Sequence, residues 1–214
     1  MAPLASLGRL LLDAVAPLHC AGCDEVTHAP ICAACVAELR DLPLPRPVDT
    51  GSVRVLGGFT FDGLVREVLH RGKFQGNRAA LARLGSLTAD RLQLGSRRGP
   101  DAVVAVPLGR RRLRQRGYNQ AEIVATLIAE ASAARLLAGL RRERETQAQA
   151  SRGEADRRAN VAGAFAWRGT DLSGARIWLV DDVLTTGATI NAAAVAIRDA
   201  GAALVGGVVV ACVP

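Results

Sequence analysis

The sequence predicts an α/β fold in which a mostly parallel sheet is flanked by helices, with a small cysteine-rich segment in front of it. Two observations support this prediction. Short apolar runs at 53–61, 101–106, 177–180 and 204–210 are typical of buried strands. Stretches with helical spacing at 63–70, 77–94, 118–137 and 190–200 alternate with these runs, and such alternation favours parallel strands joined by helices.

Length and composition fit one main domain with a small appendage. The chain has 214 residues, of which 50% are hydrophobic and 3% aromatic. Its net charge of +7 is carried almost wholly by arginine, because Lys73 is the only lysine. A basic protein favours polyanions such as nucleotides, pyrophosphate or nucleic acid. The proline-rich stretch 42–47 predicts a boundary between an N-terminal part, residues 1–47, and a main domain, residues 48–214.

The N-terminal stretch predicts a short amphipathic helix, since apolar residues from Leu4 to Val15 follow helical spacing. No basic region precedes it, so it does not match a signal peptide. No apolar run approaches the roughly 20 residues that a membrane span needs. We therefore expect a cytoplasmic protein.

Four cysteines form two C-x2-C pairs separated by eight residues: Cys20, Cys23, Cys32 and Cys35. This spacing predicts a tetrahedral site for a structural Zn²⁺ ion, closed to substrate because all four ligands come from the protein. Two disulfides or a redox C-x2-C motif are the alternatives, and His19 could replace one thiolate. The fifth cysteine, Cys212, is expected to be a small buried side chain in the last strand.

The stretch 177–189, I-W-L-V-D-D-V-L-T-T-G-A-T, has the strongest pattern for ligand binding. A predicted strand, 177–180, ends in Asp181 and Asp182, and small residues then open a helix: Thr185, Thr186, Gly187, Ala188 and Thr189. Backbone N–H groups at a helix start bind phosphate. Two carboxylates beside a phosphate suit sugar hydroxyls, or a Mg²⁺ ion held directly or through water. The plainer alternative is a turn in which Asp182 or Thr189 only caps the helix.

Arginine-rich segments and one lysine add candidate anion contacts. A segment after the strand at 101–106 predicts a pyrophosphate-binding loop, because guanidinium groups bind phosphate in pairs; it holds Arg110, Arg111, Arg112, Arg114 and Arg116. The polar segment 141–158 is typical of an active-site lid. For the first segment, and for Lys73 and His70, a solvated surface is the alternative. For the segment 141–158 the alternative is a disordered surface loop.

The stretch 177–189 resembles, at every position, the phosphoribosyl-pyrophosphate (PRPP) motif of type I phosphoribosyltransferases. Over nearly its whole length, the chain is similar to the ComF family of bacterial competence proteins. The similarity includes the cysteine pairs, K-F-Q-G-N from Lys73, V-P-L-G-R-R-R-L-R-Q-R-G-Y-N-Q-A-E from Val106, Thr146 with Gln149, R-R-A-N-V-A-G-A-F from Arg157 and V-D-D-V-L-T-T-G-A-T from Val180.

This resemblance implies a type I phosphoribosyltransferase core behind a zinc knuckle. It implies that Asp181 and Asp182 face the ribose hydroxyls of PRPP as catalytic residues, and that Thr185 to Thr189 hold its 5′-phosphate. Arg110 to Arg112 would lie near the pyrophosphate, which Mg²⁺ bridges to ribose oxygens. It also implies a role in DNA uptake or utilisation. A PRPP-sensing protein that binds single-stranded DNA with the uptake machinery, and a nucleobase salvage enzyme, are the alternatives; acceptor and oligomeric state stay open.

Overall fold

The computed structural model describes residues 18–96, 99–143 and 163–214. Its strands are β1 (Val48–Asp49), β2 (Arg54–Thr60), β3 (Ala102–Ala105), β4 (Arg135–Leu137), β5 (Leu140–Arg142), β6 (Phe165–Trp167), β7 (Arg176–Leu184) and β8 (Leu204–Cys212). Its helices are α1 (Ala33–Asp41), α2 (Gly63–Phe74), α3 (Arg78–Arg91), α4 (Arg110–Arg116), α5 (Gln120–Ala131) and α6 (Ala188–Asp199), with a short 3₁₀ turn at Leu94–Ser96. The predicted N-terminal helix and most of the predicted lid, including Thr146, Gln149, Arg152, Arg157 and Arg158, lie outside the described residues.

Six strands form one sheet in the order β1-β2-β8-β7-β3-β4. Neighbours from β2 to β4 run parallel, whereas β1 is antiparallel to β2. Strands β5 and β6 form a separate antiparallel pair. The predicted mostly parallel sheet flanked by helices is thereby confirmed. Because β7 lies between β8 and β3, its carboxyl end is in the middle of the sheet edge.

Apolar side chains cover both faces of the sheet. Val103 and Val208 pack into one core cluster with α2, α3 and α5, whereas Val104 and Val209 pack into the other with α6. Successive strand residues point to opposite faces, so both must be apolar when helices cover both sides. This explains why these strands appear in the sequence as continuous apolar runs. Within the described ranges, no helix combines the length and apolar character that crossing a bilayer requires.

Strand β7 is longer than the predicted strand at 177–180. Its pairing with β8 continues through Val183 opposite Ala211 and Leu184 opposite Cys212. Asp181 and Asp182 therefore lie within the strand and not in the turn after it. The strand continues past the two acids because the apolar residues that follow them, Val183 and Leu184, still pair with β8 through backbone hydrogen bonds.

Four other stretches differ from the prediction. Helix α2 continues to Phe74 instead of ending near residue 70, and the predicted arginine loop at 110–116 is the helix α4. The helix predicted to reach residue 137 ends at Ala131, and β4 then pairs in parallel with β3. Residues 141 and 142, placed in the predicted lid, belong to β5. In α2 the reason is packing: a Cβ atom at Gly72 would lie 2.4 Å from Leu81, so this glycine lets two helices approach.

Arg91, the last residue of α3, joins three parts of the chain. Its guanidinium donates hydrogen bonds to backbone carbonyls of Gly58, Leu39, Arg40 and Leu42 at 2.9, 2.9, 2.7 and 2.6 Å. Those carbonyls belong to β2, to the end of α1 and to the residue that follows α1. A single planar side chain therefore fastens the cysteine-rich segment to the sheet.

We expect Arg91→Met to lower the free energy of unfolding by about 3 kcal/mol, because it leaves several partly buried carbonyls without donors. Arg91→Lys should recover less than half of this loss, since an ammonium group cannot reach all four acceptors. Urea unfolding monitored by circular dichroism checks both values, with the exposed Arg66→Met in α2 as the control. Equal stability of Arg91→Met and Arg66→Met would contradict this role.

Candidate functional site

The candidate ligand site is the junction between β7 and α6. Strand β7 ends at Leu184, and α6 begins at Ala188 after a left-handed Gly187 with φ of 74°. Gly187 is the N-cap, so neither Asp182 nor Thr189 caps the helix, and the N-cap itself has no side chain to do so. The N–H of Ala188 makes a long hydrogen bond of 3.4 Å to Oγ1 of Thr186, and the N–H groups at the start of a helix can bind an anion.

Small side chains at this loop are required by close packing. A Cβ atom at Gly187 would lie 2.7 Å from Cγ2 of Thr50, in the turn between β1 and β2. Asn191 of α6 binds the same turn, since its Nδ2 donates to the Thr50 carbonyl at 2.9 Å and its Oδ1 accepts from the Thr50 hydroxyl at 2.5 Å. The turn that contains Thr50 thus packs against one side of the loop. On the loop itself, Thr185 and Thr186 are exposed, and Ala188 and Thr189 are half-buried.

A cavity of about 30 Å³ connects the loop to the first acid; it is lined by Asp181, Val183, Leu184, Thr185, Gly187, Thr189, Ile190 and Val209. This volume is close to that of one water molecule. Asp182 does not line this cavity and faces a different part of the site.

Asp182 forms an ion pair that sequence reasoning left undecided. The Lys73 Nζ atom at the end of α2 lies 3.0 Å from Oδ2 of Asp182, and the two side chains are 18% and 14% exposed. The only lysine of the chain is therefore part of the site and not a solvated surface charge. Its uniqueness in the sequence was the available signal, but the contact spans more than a hundred residues and no local pattern reveals it.

Asp181 is an acid held in an unfavourable place for its charge. Burial raises the pKa of Asp181 to about 7, and the neighbouring charge of Asp182 acts in the same direction. The backbone N–H of Asp182 donates to Oδ1 of Asp181 at 2.8 Å, and this bond, Lys73 and Arg142 oppose the rise in its pKa. Such a carboxyl group is destabilising when ionised and suits a ligand that supplies hydroxyl donors.

We expect Asp181→Asn to raise the melting temperature more at pH ~8 than at pH ~5. The folded carboxyl has a pKa of about 7, whereas an unfolded one ionises near ~3.9. Between these values only the folded state keeps the proton. The protonated Asp181 carboxyl group therefore favours the folded state fully below pH ~4, and this contribution to stability is lost as the pH rises through the folded pKa. Scanning calorimetry without Mg²⁺ or PRPP checks this, and an equal gain at both pH values would contradict it.

A basic cleft of about 580 Å³ lies at the ends of β3 and β5; it is lined by Pro107, Leu108, Arg110, Leu113, Asn119, Glu122, Leu140, Arg141, Arg142, Glu143 and Arg168. Of the three arginines predicted to bind pyrophosphate, Arg110 lines this cleft. Arg111 and Arg112 are exposed on the same helix, α4. Arg142 lines the cleft, and its positive charge also lowers the pKa of Asp181. Arg141 and Arg142 of β5, and Arg168 directly after β6, were missed as cleft residues because these two strands are distant in the sequence and pair only in the folded chain.

The four predicted metal ligands come together. Their sulfur atoms all lie within 4.8 Å of one another, and the Cys23 and Cys32 sulfurs are 3.7 Å apart. A tetrahedral zinc with Zn–S bonds of about 2.3 Å places its sulfurs roughly 3.8 Å apart, so the cluster fits that ion. His19 is not part of the cluster and instead contacts the Asp24 carbonyl through Nδ1 at 2.7 Å. Cys212 is buried in β8, as predicted.

Backbone donors favour thiolates in this cluster. Burial raises the pKa of Cys20, but N–H groups, including those of Cys32 and Gly22 at 3.2 and 3.3 Å from its sulfur, outweigh burial and bring the pKa to about 6. A thiolate is the form that binds a metal. Without a metal, burial and the neighbouring sulfurs raise the pKa of Cys35. A bound cation would neutralise the negative charge of the thiolates and so stabilise the cluster.

The cysteine cluster packs directly on α2. Arg71 of α2 donates to the Cys20 carbonyl at 3.2 Å and to Oδ1 of Asp24 at 2.5 Å. A Cβ atom at Gly22 would lie 2.3 Å from Cδ1 of Leu64 in α2, so a larger residue there would have to displace that side chain. Arg71 and Lys73 share the last turn of α2, so the cluster supports the helix that delivers Lys73 to Asp182.

No family model and no curated protein matches the sequence. Among solved structures, the chain is similar to glutamine PRPP amidotransferase from B. subtilis complexed with ADP and GMP, at 22% identity and a TM-score of 0.40, over 62% of this chain and 26% of that one. It is also similar to the allosteric regulatory enzyme of purine biosynthesis, at 23% identity and a TM-score of 0.39, over 62% and 26% of the two chains. Orotate phosphoribosyltransferase from Aeropyrum pernix matches at 23% identity and a TM-score of 0.34, over 67% and 62%. The chain thus spans about a quarter of the length of the first two proteins.

Proposed function

We propose that this chain binds PRPP with Mg²⁺ and transfers its phosphoribosyl group to an acceptor, with pyrophosphate as the leaving group. The observation that supports this most is the junction of β7 and α6. Two acids lie near the end of a central strand, a left-handed glycine follows, and this glycine gives the next helix an N-cap without a side chain. Sugar hydroxyls suit the acids and a phosphate suits the helix start, in the order in which they occur in a ribose 5-phosphate.

In this proposal each part of PRPP has its own contacts. Thr185 to Thr189 hold the 5′-phosphate, and Asp181 and Asp182 accept hydrogen bonds from the ribose hydroxyls. Arg110 contacts the pyrophosphate from the basic cleft, with Arg111 and Arg112 beside it on α4. The same cleft is lined by Arg141, Arg142 and Arg168, which add to its positive charge. PRPP carries several negative charges, so such a cleft is the expected partner for its pyrophosphate.

The two acids are candidate contacts for Mg²⁺, but one of them already has a positively charged partner. Carboxylate oxygens are the ligands that Mg²⁺ prefers, but Lys73 already neutralises Asp182 at 3.0 Å. We therefore expect the ion to arrive with PRPP, and Asp181 and Asp182 would be the residues nearest to hold it. When bound, Mg²⁺ neutralises charge that develops on the leaving pyrophosphate. The four cysteines hold a structural Zn²⁺ ion in the same proposal, at a distance from the reaction and with no open position for a substrate.

The residues of the chain contribute position and charge to the transfer. The bond between C1 of the ribose and the pyrophosphate oxygen breaks, and the electron pair leaves with pyrophosphate. Positive charge then develops on the ribose ring, and ionised carboxylates of Asp181 and Asp182 would stabilise it. Holding the phosphate and hydroxyls at fixed contacts orients C1 toward the acceptor.

Pyrophosphate release from PRPP tests the transferase proposal. The purified chain is incubated with PRPP and Mg²⁺ and with a panel of bases, amines and single-stranded DNA. We expect one acceptor class to stimulate release, and the release to stop when Mg²⁺ is omitted. Tight PRPP binding without release from any acceptor would instead favour a sensor.

A non-catalytic role in DNA uptake is the second candidate. The resemblance to ComF proteins suggests it, and the net charge of +7 favours binding to polyanions. Against it, few aromatic rings accompany the arginines of this region: within the part of the chain that the structure describes, Arg78 lies over Tyr118, Arg116 over Phe74 and Arg142 over Phe165. A gel-shift assay with labelled single-stranded DNA at several salt concentrations tests this role, and absence of a shift at low salt would count strongly against it.

A further inference from the structure

The turn that joins β1 to β2 contacts the ligand loop, although it belongs to none of the sequence motifs. Thr50 in this turn binds Asn191 of α6, from which it is 141 positions distant in the chain. A second contact fastens the turn to the far end of the same helix, since Arg198 donates a hydrogen bond to the Ser52 carbonyl. Strands β1 and β2 pair through their own backbones, so these two contacts serve to hold the turn against α6.

Thr50 and Asn191 form a closed pair of hydrogen bonds. The Thr50 hydroxyl donates to Oδ1 of Asn191 at 2.5 Å, and Nδ2 of Asn191 donates to the Thr50 carbonyl at 2.9 Å. A side-chain amide has one oxygen acceptor and one nitrogen donor group, so this arrangement fixes the orientation of the amide. The same hydroxyl accepts a hydrogen bond from the Val53 N–H at 3.2 Å. Thr50 is therefore held in one position relative to α6.

The pair reaches the ligand loop through Gly187. The N–H of Asn191 donates to the Gly187 carbonyl at 2.9 Å, in the first turn of α6. A Cβ atom at Gly187 would lie 2.7 Å from Cγ2 and 3.0 Å from Cβ of Thr50. The Thr50 side chain thus packs directly on the backbone of the left-handed residue, with φ of 74°, at which the loop becomes the helix.

A phosphate-binding loop of this kind benefits from such support. Glycine has more backbone freedom than any other residue, and Gly187 has no side chain to make a capping hydrogen bond. The proposed contacts of the 5′-phosphate are N–H groups, whose directions depend on the backbone torsions of residues 185–189. Donors that are oriented before the ligand arrives bind it more tightly, because ordering them during binding costs conformational entropy.

We propose that Thr50 and Asn191 are positioning residues for the phosphate-binding loop. They hold its backbone ready for a 5′-phosphate and do not touch the ligand themselves. This inference rests on the proposed PRPP site, and it assigns part of the affinity for one end of PRPP to a turn outside the motif. Pyrophosphate, whose proposed contacts are in the basic cleft, should be insensitive to both residues.

Isothermal titration in the presence of Mg²⁺ tests this role with three probes: PRPP, ribose 5-phosphate and pyrophosphate. Thr50→Val keeps the shape of the side chain but removes its hydroxyl, and Asn191→Leu removes both amide contacts. Each should weaken PRPP and ribose 5-phosphate about tenfold and leave pyrophosphate within about twofold. Thr50→Ser retains the hydroxyl and should stay within about threefold of the unaltered chain. The double variant should bind about as well as the weaker single variant, because the two residues act as one unit.

Arg198→Met is the control for a merely structural role of the turn. It removes the other contact between the turn and α6, so it should lower the melting temperature and leave all three affinities unchanged. The titrations are done at a salt concentration that screens the lost charge. Circular dichroism identifies the folded variants, and Asn191→Leu alone decides the test if Thr50→Val does not fold.

Three results separate this proposal from its alternatives. Unchanged ribose 5-phosphate affinity in the folded Thr50→Val and Asn191→Leu variants would overturn it. An equal loss for pyrophosphate, or a loss in Arg198→Met as large as in Asn191→Leu, would overturn it as well, in favour of a turn that only stabilises the fold. If the unaltered chain binds neither PRPP nor ribose 5-phosphate, the proposed function itself is rejected.

Discussion

Asp182→Asn weakens PRPP binding in the presence of Mg²⁺ by about a hundredfold, on the expectation that its carboxylate accepts hydrogen bonds from the ribose. A hydrogen bond to a charged group contributes roughly 1.5–3 kcal/mol, and tenfold in affinity is about 1.4 kcal/mol. The substitution also leaves Lys73, whose side chain is 18% exposed, without its partner at 3.0 Å. Both effects act against binding, so the loss should exceed that of a surface carboxylate.

The control for this variant is Asp199→Asn, which makes the same change of charge at an exposed position in the last turn of α6. Its PRPP affinity should equal that of the unaltered chain. Circular dichroism and the melting temperature must show that Asp182→Asn is folded. If the folded Asp182→Asn variant binds PRPP within about threefold of the unaltered chain, Asp182 is not a ribose contact.

Loss of the metal from the four cysteines should have the largest effect on stability. We expect one zinc ion per chain in the purified protein. Cys35→Ser should lower the melting temperature by about 10 °C or more, because binding of a structural zinc is coupled to folding. Cys35 and Leu39 are buried in the same core cluster as Val65 and Val68 of α2, so disorder of the knuckle would expose that helix.

Metal analysis and scanning calorimetry under reducing conditions check this expectation. His19→Ala is the control, because His19 adjoins the cluster in sequence but binds the Asp24 carbonyl instead. It should keep its zinc and its melting temperature. A purified chain without zinc, together with a normal melting temperature for Cys35→Ser, would show that the cluster is not a structural metal site.

Those parts of the fold that depend on local pattern could be predicted from the sequence. Apolar runs identified β2, β3, β7 and β8, because a strand covered by helices on both faces needs apolar residues at every position. The spacing of the four cysteines predicted their cluster, since two short loops bring such pairs together without help from the rest of the chain. The small residues 185–189 predicted where the helix opens, although helical spacing was predicted only from residue 190 and α6 begins at Ala188.

The remaining features depend on contacts between distant residues. The length of β7 beyond Val180 follows from its pairing with β8, and polar Asp181 and Asp182 conceal that continuation. The ion pair of Lys73 with Asp182 and the contact of Arg116 with Phe74 join α2 to β7 and α4. No periodicity reports such pairs, so the sequence identified the acids and arginines but not which of them meet.

The helix α4 is a further example, since its seven residues include no buried side chain. An apolar stripe is the usual signal for a helix on a protein surface, and α4 lacks one. A run of arginines is equally compatible with a loop or a helix, and tertiary context decides between them. The prediction of a pyrophosphate contact survives this change as a proposal, because Arg110 still lines the cleft.

Isothermal titration of the purified chain with PRPP in the presence of Mg²⁺ tests the central claim most directly. We predict saturable binding at one site per chain, lost or strongly weakened when Asp181 and Asp182 are both changed to asparagine in a variant that remains folded. Absence of binding to the folded, zinc-containing chain, or unchanged binding to the double variant, would contradict the assignment of the β7–α6 junction as a PRPP site.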